Sequence, residues 1–208
     1  MSGLTVGILG LQGDIEEHLS ATSLALSRLG VEGEPSLVKS TDDAKRISAL
    51  IIPGGESTVM GGLSSIKGIL PTLRERITNG LPTLGTCAGM ITLAKRVYDR
   101  VVGETSQTLI GTLDITVERN SFGRQRESFE ADLKLDMPGG GGFHAVFIRA
   151  PSVKSLGQGV NELARLGDAV VAVQQGNMIA TAFHPELSGS TILHEYLIRL
   201  AKADTVQA

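Results

Sequence analysis

Three apolar runs in the first hundred residues, Leu4 to Leu9, Ala49 to Ile52 and Pro82 to Leu84, each stop at or just before a glycine and give way to residues spaced for a helix. The first is followed by Gly10-Leu11-Gln12-Gly13-Asp14 and then by Ile15, Leu19, Thr22, Leu26 and Leu29, which recur at the helical period. Asp14 is placed to cap that helix and Gly30 to end it. Leu37-Val38 reads as a further strand, and helices are expected near Val59 to Leu63, from Pro71 to Ile77 and from Ala88 to Tyr98. Short apolar strands that alternate with helices admit few arrangements, chiefly a parallel sheet with both faces covered. The expected fold class is therefore α/β, three-layered, with a mostly parallel central sheet flanked by helices.

The pattern changes beyond Val101. Ile115-Thr116-Val117, Phe143 to Ile148, Ala169 to Val173 and Met178 to Ala182 are apolar runs separated by turn residues. Additional antiparallel strands are thus expected in the C-terminal half, closed by a helix over Ile192 to Leu200. Met137 to Gly142, with four consecutive glycines, reads as a flexible loop. No internal repeat or linker interrupts the 208 residues, so one domain spanning 1–208 is expected. With 26 Gly, five Phe, two Tyr and no Trp, its core must be built mainly from Val, Ile, Leu and Ala.

A net charge of -3 and the lack of a basic block argue against nucleic acid as a partner. A single cysteine, Cys87, excludes an intrachain disulfide and makes a reducing cytoplasm the simplest location. The N-terminus lacks the basic and apolar regions of a signal peptide, and no apolar run reaches the roughly 18 residues of a membrane span, so no membrane association is expected.

Gly85-Thr86-Cys87-Ala88-Gly89 sets the cysteine between a strand and a helix in the Gly-x-Cys-x-Gly pattern of a nucleophile elbow. The helix start there offers the Ala88 N–H to a developing oxyanion. These residues alone equally allow Cys87 to be a buried small hydrophobe. A thiol nucleophile needs a base, and the histidines are His18, His144, His184 and His194. His184 stands out because it follows an apolar strand and opens His184-Pro185-Glu186. Proline favours extended backbone before it, and in an extended segment residues i and i+2 share a side, so Glu186 can lie beside the imidazole. His18 and His194, on helices, read as helix-surface or packing residues, and His144 stays open.

Pro53-Gly54-Gly55-Glu56-Ser57-Thr58 follows its strand at the edge where parallel sheets bind ligands. Paired glycines let backbone N–H groups approach an anionic oxygen, although Pro-Gly-Gly equally marks any tight turn. Gly7, Gly10 and Gly13 do not match the dinucleotide fingerprint, no Walker sequence is present, and no Cys/His cluster suits zinc.

Together, Gly85 to Gly89 and His184-Pro185-Glu186 resemble the triad glutamine amidotransferases. Gly7 to Gly13, Pro53 to Thr58, Val117 to Gln125 and Val146 to Pro151 are similar to stretches of the glutaminase subunits of pyridoxal 5'-phosphate synthase, and the similarity runs from about Leu4 to Leu200. The resemblance implies hydrolysis of L-glutamine to glutamate and ammonia, with Cys87 as nucleophile, His184 as acid/base and Glu186 as its orienting partner. It implies oxyanion donors at Gly55 and Ala88, and glutamine binding by Gly55, Glu56, Ser57, Arg119, Ile148 and Arg149. It further implies no metal, no organic cofactor, and a hetero-oligomer with a synthase core subunit that takes the ammonia. An Arg and a Glu suit a zwitterionic substrate.

Overall fold

The computed structural model describes residues 3–99, 101–122 and 128–207, with side chains as far as residue 203. Gly123, Arg124 and Gln125, the end of one stretch quoted for the resemblance, lie outside the described residues. The first part of the chain runs β1 (Leu4–Leu9), α1 (Ile15–Leu29), β2 (Gly33–Val38), α2 (Thr41–Arg46), β3 (Ala49–Ile52), α3 (Ser57–Ile66), α4 (Leu70–Thr78), β4 (Thr83–Thr86) and α5 (Ala88–Leu93). It continues through β5 (Ala94–Asp99), β6 (Gly103–Glu104), β7 (Leu113–Glu118), β8 (Ser128–Leu135), β9 (Gly141–Ile148) and β10 (Ser152–Leu156). The chain ends with β11 (Asn161–Leu166), β12 (Ala169–Gln175), β13 (Met178–Thr181), a 3₁₀ turn over Pro185–Leu187, and α6 (Ile192–Gln207).

Strands β2, β1, β3, β4 and β13 lie side by side in that order and run parallel. The sheet continues through β12, β10, β7, β5 and β6, with antiparallel pairs everywhere except between β7 and β5. Strand β11 pairs with β12 beside this path. Every residue of β3 and β4 is buried, as a strand covered on both faces requires. Helices α1 and α6 pack on each other, and α6 also covers β1, β3 and β4. Helices α2 to α5 form a second connected group that reaches the sheet through α2 and α5. This is the three-layer arrangement expected from the sequence, and no helix among the described residues is long and apolar enough to cross a membrane.

The helix expected over Ala88 to Tyr98 stops at Leu93. Ala94 turns to an extended backbone (φ -60°, ψ 146°), and the chain becomes β5, parallel to β7. Pairing with a strand far along the chain outweighs the local helical spacing: Ala94 and Val97 point into the core, and Lys95 reaches Asp114 of β7 at 3.2 Å. Met137 to Gly142 is likewise not a flexible loop. Gly141 and Gly142 pair with Leu135 and Lys134, so the glycines form the tight end of the β8–β9 hairpin.

That hairpin is a separate antiparallel ribbon, fastened by aromatic packing. All five phenylalanines of the chain join in one series of ring contacts. Phe129 of β8 stacks on Phe147 of β9 at 4.7 Å between centroids, and Phe122 lies against both. Phe147 and Phe143 meet Phe183 at 5.6 and 5.3 Å. Phe183 immediately precedes His184, so the few large aromatics of this aliphatic protein press the ribbon onto the segment carrying that imidazole.

Close packing of α5 on β3 depends on Gly89, because a Cβ there would collide with the Ile52 carbonyl oxygen. Backbone cannot yield as a flexible side chain can. Gly89→Ala is therefore expected to destabilise the fold by about 1–3 kcal/mol, measured by urea unfolding; unchanged stability would show that α5 can shift without penalty.

Candidate active site

Cys87 lies where β4 passes into α5. Its backbone is left-handed (φ 49°, ψ -103°), a conformation that non-glycine residues adopt only when the surroundings impose it. The restraint is visible: the Cys87 N–H donates to the Thr181 carbonyl of β13 at 2.8 Å, and Gly85 and Gly89 let strand and helix close on each other. Gly85 pairs with Ile52 on one side and Ala180 on the other. The residues that follow β3, β4 and β13 consequently meet at one sheet edge.

His184 is buried there. Its backbone N–H donates to the Val146 carbonyl of the β8–β9 ribbon at 2.8 Å. Glu186 Oε1 lies 2.8 Å from His184 Nδ1, the adjacency expected from the sequence, but the route differs. Pro185 opens a 3₁₀ turn instead of continuing an extended segment, and the turn folds the Glu186 side chain back beneath the ring. A second carboxylate, Asp14, reaches the same nitrogen at 3.1 Å. Asp14 makes no side-chain cap on α1, contrary to expectation, because its carboxylate is turned to the imidazole. Asp14, His184 and Glu186 offer ligand atoms within 4.8 Å of one another, a geometry able to hold a cation, but both carboxylates already engage the ring nitrogen.

Burial disfavours a charged His184, yet the carboxylates of Asp14 and Glu186 and the neighbouring Cys87 thiol outweigh it and raise the imidazole pKa well above its ordinary value. The hydrogen bond to His184 lowers the pKa of Asp14, whereas burial raises that of Glu186. Nδ1 is occupied by the carboxylates. Nε2 is buried without a hydrogen-bond partner and is the atom left for chemistry in the cleft that His184 shares with Cys87.

That cleft encloses about 190 Å³, below the roughly 300–1,000 Å³ of sites for drug-sized ligands. Gly55, Glu56, Ser57, Arg119, Ile148 and Arg149 all line it, so the structure brings together every substrate-binding candidate named from the sequence. The Ile148 carbonyl is 3.7 Å from Cys87 Sγ. Arg119 pairs with Glu56 at 3.1 Å and contacts Gln107, which donates to Ser57. Ala88 opens α5 directly after the thiol. Gly55 has φ 141° and is wedged by Gln12, whose Oε1 accepts from the Glu56 N–H at 2.8 Å. Gln12 belongs to the Gly10 to Gly13 stretch, whose place after the first strand puts it on the same edge, but Asp14, Gln107 and Asn120 were missed as neighbours of the site. The available signal for Asp14 was its position just beyond β1, on the same edge as the other motifs.

A thiol at a strand-to-helix turn, beside an imidazole bonded to a carboxylate at the C-terminal edge of a parallel sheet, is the arrangement of thiol-dependent acyl-transfer enzymes. Within that class, the chain belongs to the SNO glutamine amidotransferase family, whose model matches residues 8–203. It is 49% identical over 199 residues to the pyridoxal 5'-phosphate synthase subunit PdxT of Sulfurisphaera tokodaii, covering 96% of this chain and all of that protein. The PdxT subunit of Pyrobaculum neutrophilum is 50% identical over 204 residues, with the same coverage. A crystal structure of a glutamine amidotransferase superposes with a TM-score of 0.82 at 47% identity, covering 95% of this chain and 98% of that one.

The two remaining helical histidines are packed inside. His18 and His194 are fully buried and joined at 3.0 Å, and burial lowers both pKa values, that of His194 to about 4. A ring that stays neutral when folded and takes a proton when unfolded adds stability as pH rises from about 4 to 6.5. Acidification across that window should remove about 3 kcal/mol through His194. Urea unfolding at the two ends of the window measures it: wild type should lose more stability on acidification than His194→Leu, and equal losses would contradict the assignment.

Proposed function

We propose that this chain hydrolyses L-glutamine to L-glutamate and ammonia through a Cys87 thioester and supplies the ammonia to a partner synthase subunit that makes pyridoxal 5'-phosphate. The observation that carries this reading is the Glu186–His184 hydrogen bond in a small cleft lined by the single thiol and by an Arg–Glu pair. Family membership and full-length similarity to PdxT subunits support this choice of substrate and partner.

In this mechanism His184 takes the Cys87 proton and sulfur attacks the side-chain amide carbon. The N–H groups of Gly55 and Ala88 stabilise the tetrahedral oxyanion. His184 protonates the departing nitrogen, ammonia leaves, and water activated by the same ring hydrolyses the thioester. The substrate's carboxylate takes Arg119 and its ammonium takes Glu56, so in the free site these two groups neutralise each other. Ser57, Ile148 and Arg149 complete the walls around it. The partner forms a hetero-oligomer with this chain and raises its activity by realigning the Gly55 peptide, which Gln12 ties to the loop after β1. One aligned oxyanion donor is worth about 10²- to 10³-fold in rate.

Glutamate release, measured for the chain alone and with saturating synthase subunit, tests the whole reading. Turnover should rise sharply in the complex, and one equivalent of alkylating agent should abolish it unless glutamine protects. Full activity after stoichiometric alkylation would remove Cys87 from the mechanism. Glu186→Gln should lower kcat about a hundredfold or more with little change in KM, since its effect is on the His184 ring. Arg119→Ala should instead raise the glutamine KM about tenfold. The reverse pattern would exchange the two roles.

A further inference from the structure

Behind the cleft lies a hydrogen-bonded unit that the proposed reaction leaves unused. His18 of α1 and His194 of α6 have no solvent exposure, and His18 Nδ1 is 3.0 Å from His194 Nε2. The other His18 nitrogen, Nε2, is 3.2 Å from Thr86 Oγ1, one residue before Cys87, and 3.3 Å from Glu186 Oε2. Glu186 is therefore approached from two sides: Oε1 by His184, and Oε2 by His18, which stands over it obliquely. In the free chain the 3.3 Å approach of His18 Nε2 to Glu186 Oε2 is not aligned as a hydrogen bond, and Nε2 pairs with Thr86 Oγ1. Contacts around a reacting group are often poorly aligned before substrate binds and tighten afterwards.

The rings permit only one economical placement of protons. Both are neutral, because burial suppresses their charged forms. Were the shared proton on His18 Nδ1, His194 would carry its own on Nδ1, a buried atom with no hydrogen-bond partner. With the shared proton on His194 Nε2, the bare His194 Nδ1 leaves no donor unmet, and His18 carries its proton on Nε2, facing Thr86 and Glu186.

We infer that His18, its tautomer set by His194, is a positioning residue that holds the second oxygen of Glu186 and so fixes the His184 ring for reaction with Cys87. His18 touches neither substrate nor thiol. The inference rests on the roles given above to Cys87, His184 and Glu186. Its physical motive is local: Glu186 stands on a three-residue 3₁₀ turn, which by itself gives a carboxylate little rigidity. Held at Oε1 alone, the group can rotate as His184 gains and loses its proton. A contact at Oε2 from His18, on a helix that packs against α6, removes that freedom.

Three measurements test this. In wild-type protein labelled with ¹⁵N-histidine, the ring shifts should report a neutral His18 protonated at Nε2; protonation at Nδ1 would overturn the inference whether or not any variant folds. In the complex with the synthase subunit, His18→Leu should lower kcat for glutamine about tenfold or more, the worth of the hydrogen bond to the charged carboxylate that forms as the contact tightens, and leave KM within about twofold. His18→Gln, whose amide can still donate toward Glu186, should recover most of that loss. Wild-type kcat in His18→Leu, or equal losses in the Leu and Gln variants, would show that His18 only fills space. The rate of Cys87 alkylation in the free chain should fall in the same order. Absence of glutamine turnover in the wild-type complex would reject the glutaminase reading alone, while the ring shifts and alkylation rates still decide the role of His18.

Discussion

The parallel register at the centre of the sheet governs everything that happens at its edge. Gly85 of β4 stands between Ile52 of β3 and Ala180 of β13, so all three strands reach their C-terminal ends at nearly the same level. The next few residues of each supply the Gly55 turn, Cys87 and His184. A slip of one strand would separate these groups by a residue's length and reverse which face of the sheet each side chain takes. The glycines support this register because they let α5 lie against β3 and let the turn before Gly55 pass beside the His184 ring: a Cβ on Gly54 would meet Cε1 of that ring.

A second layer of control comes from the β8–β9 ribbon. It is outside the main sheet, yet its backbone touches the segments that carry His184 and Cys87, through Val146 to the first and Ile148 to the second. The chain has five phenylalanines, and all five rings gather where the ribbon must be held against the sheet. Large flat side chains bury much area per residue, which suits a two-stranded element that is only marginally stable alone. The ribbon thus acts as a fixed wall of the cleft and supplies Ile148 and Arg149 to its lining.

Electrostatically, the site concentrates negative charge on one imidazole. Asp14 and Glu186 meet the same His184 nitrogen from different elements, one exposed to the cleft rim and the other with no side-chain exposure. Their combined pull favours the protonated ring and leaves Nε2 facing away from the carboxylates. Across the cleft, the Glu56–Arg119 pair keeps two further charges compensated.

Much of this was legible along the chain because it is local. Strands buried on both faces are continuous apolar runs, the turn after β4 has its glycines at fixed offsets from Cys87, and His184 and Glu186 are only two residues apart. Strand β8 alternates polar and apolar residues, Phe129, Ala131, Leu133 and Leu135 sharing one face, a signal that a search for continuous apolar runs passes over. Strands β10 and β11 carry no such regular pattern and become strands by pairing with β7 and β12. Ala94 to Asp99 carries helical spacing and becomes a strand because β7 lies beside it. The turning of Asp14 from its helix to His184, and the meeting of His18 with His194 across 176 positions, were likewise settled by tertiary packing. Sequence periodicity reports which face of an element is apolar. Which buried polar group meets which depends on how the elements are set against one another, and the need to satisfy every donor and acceptor away from water makes that choice.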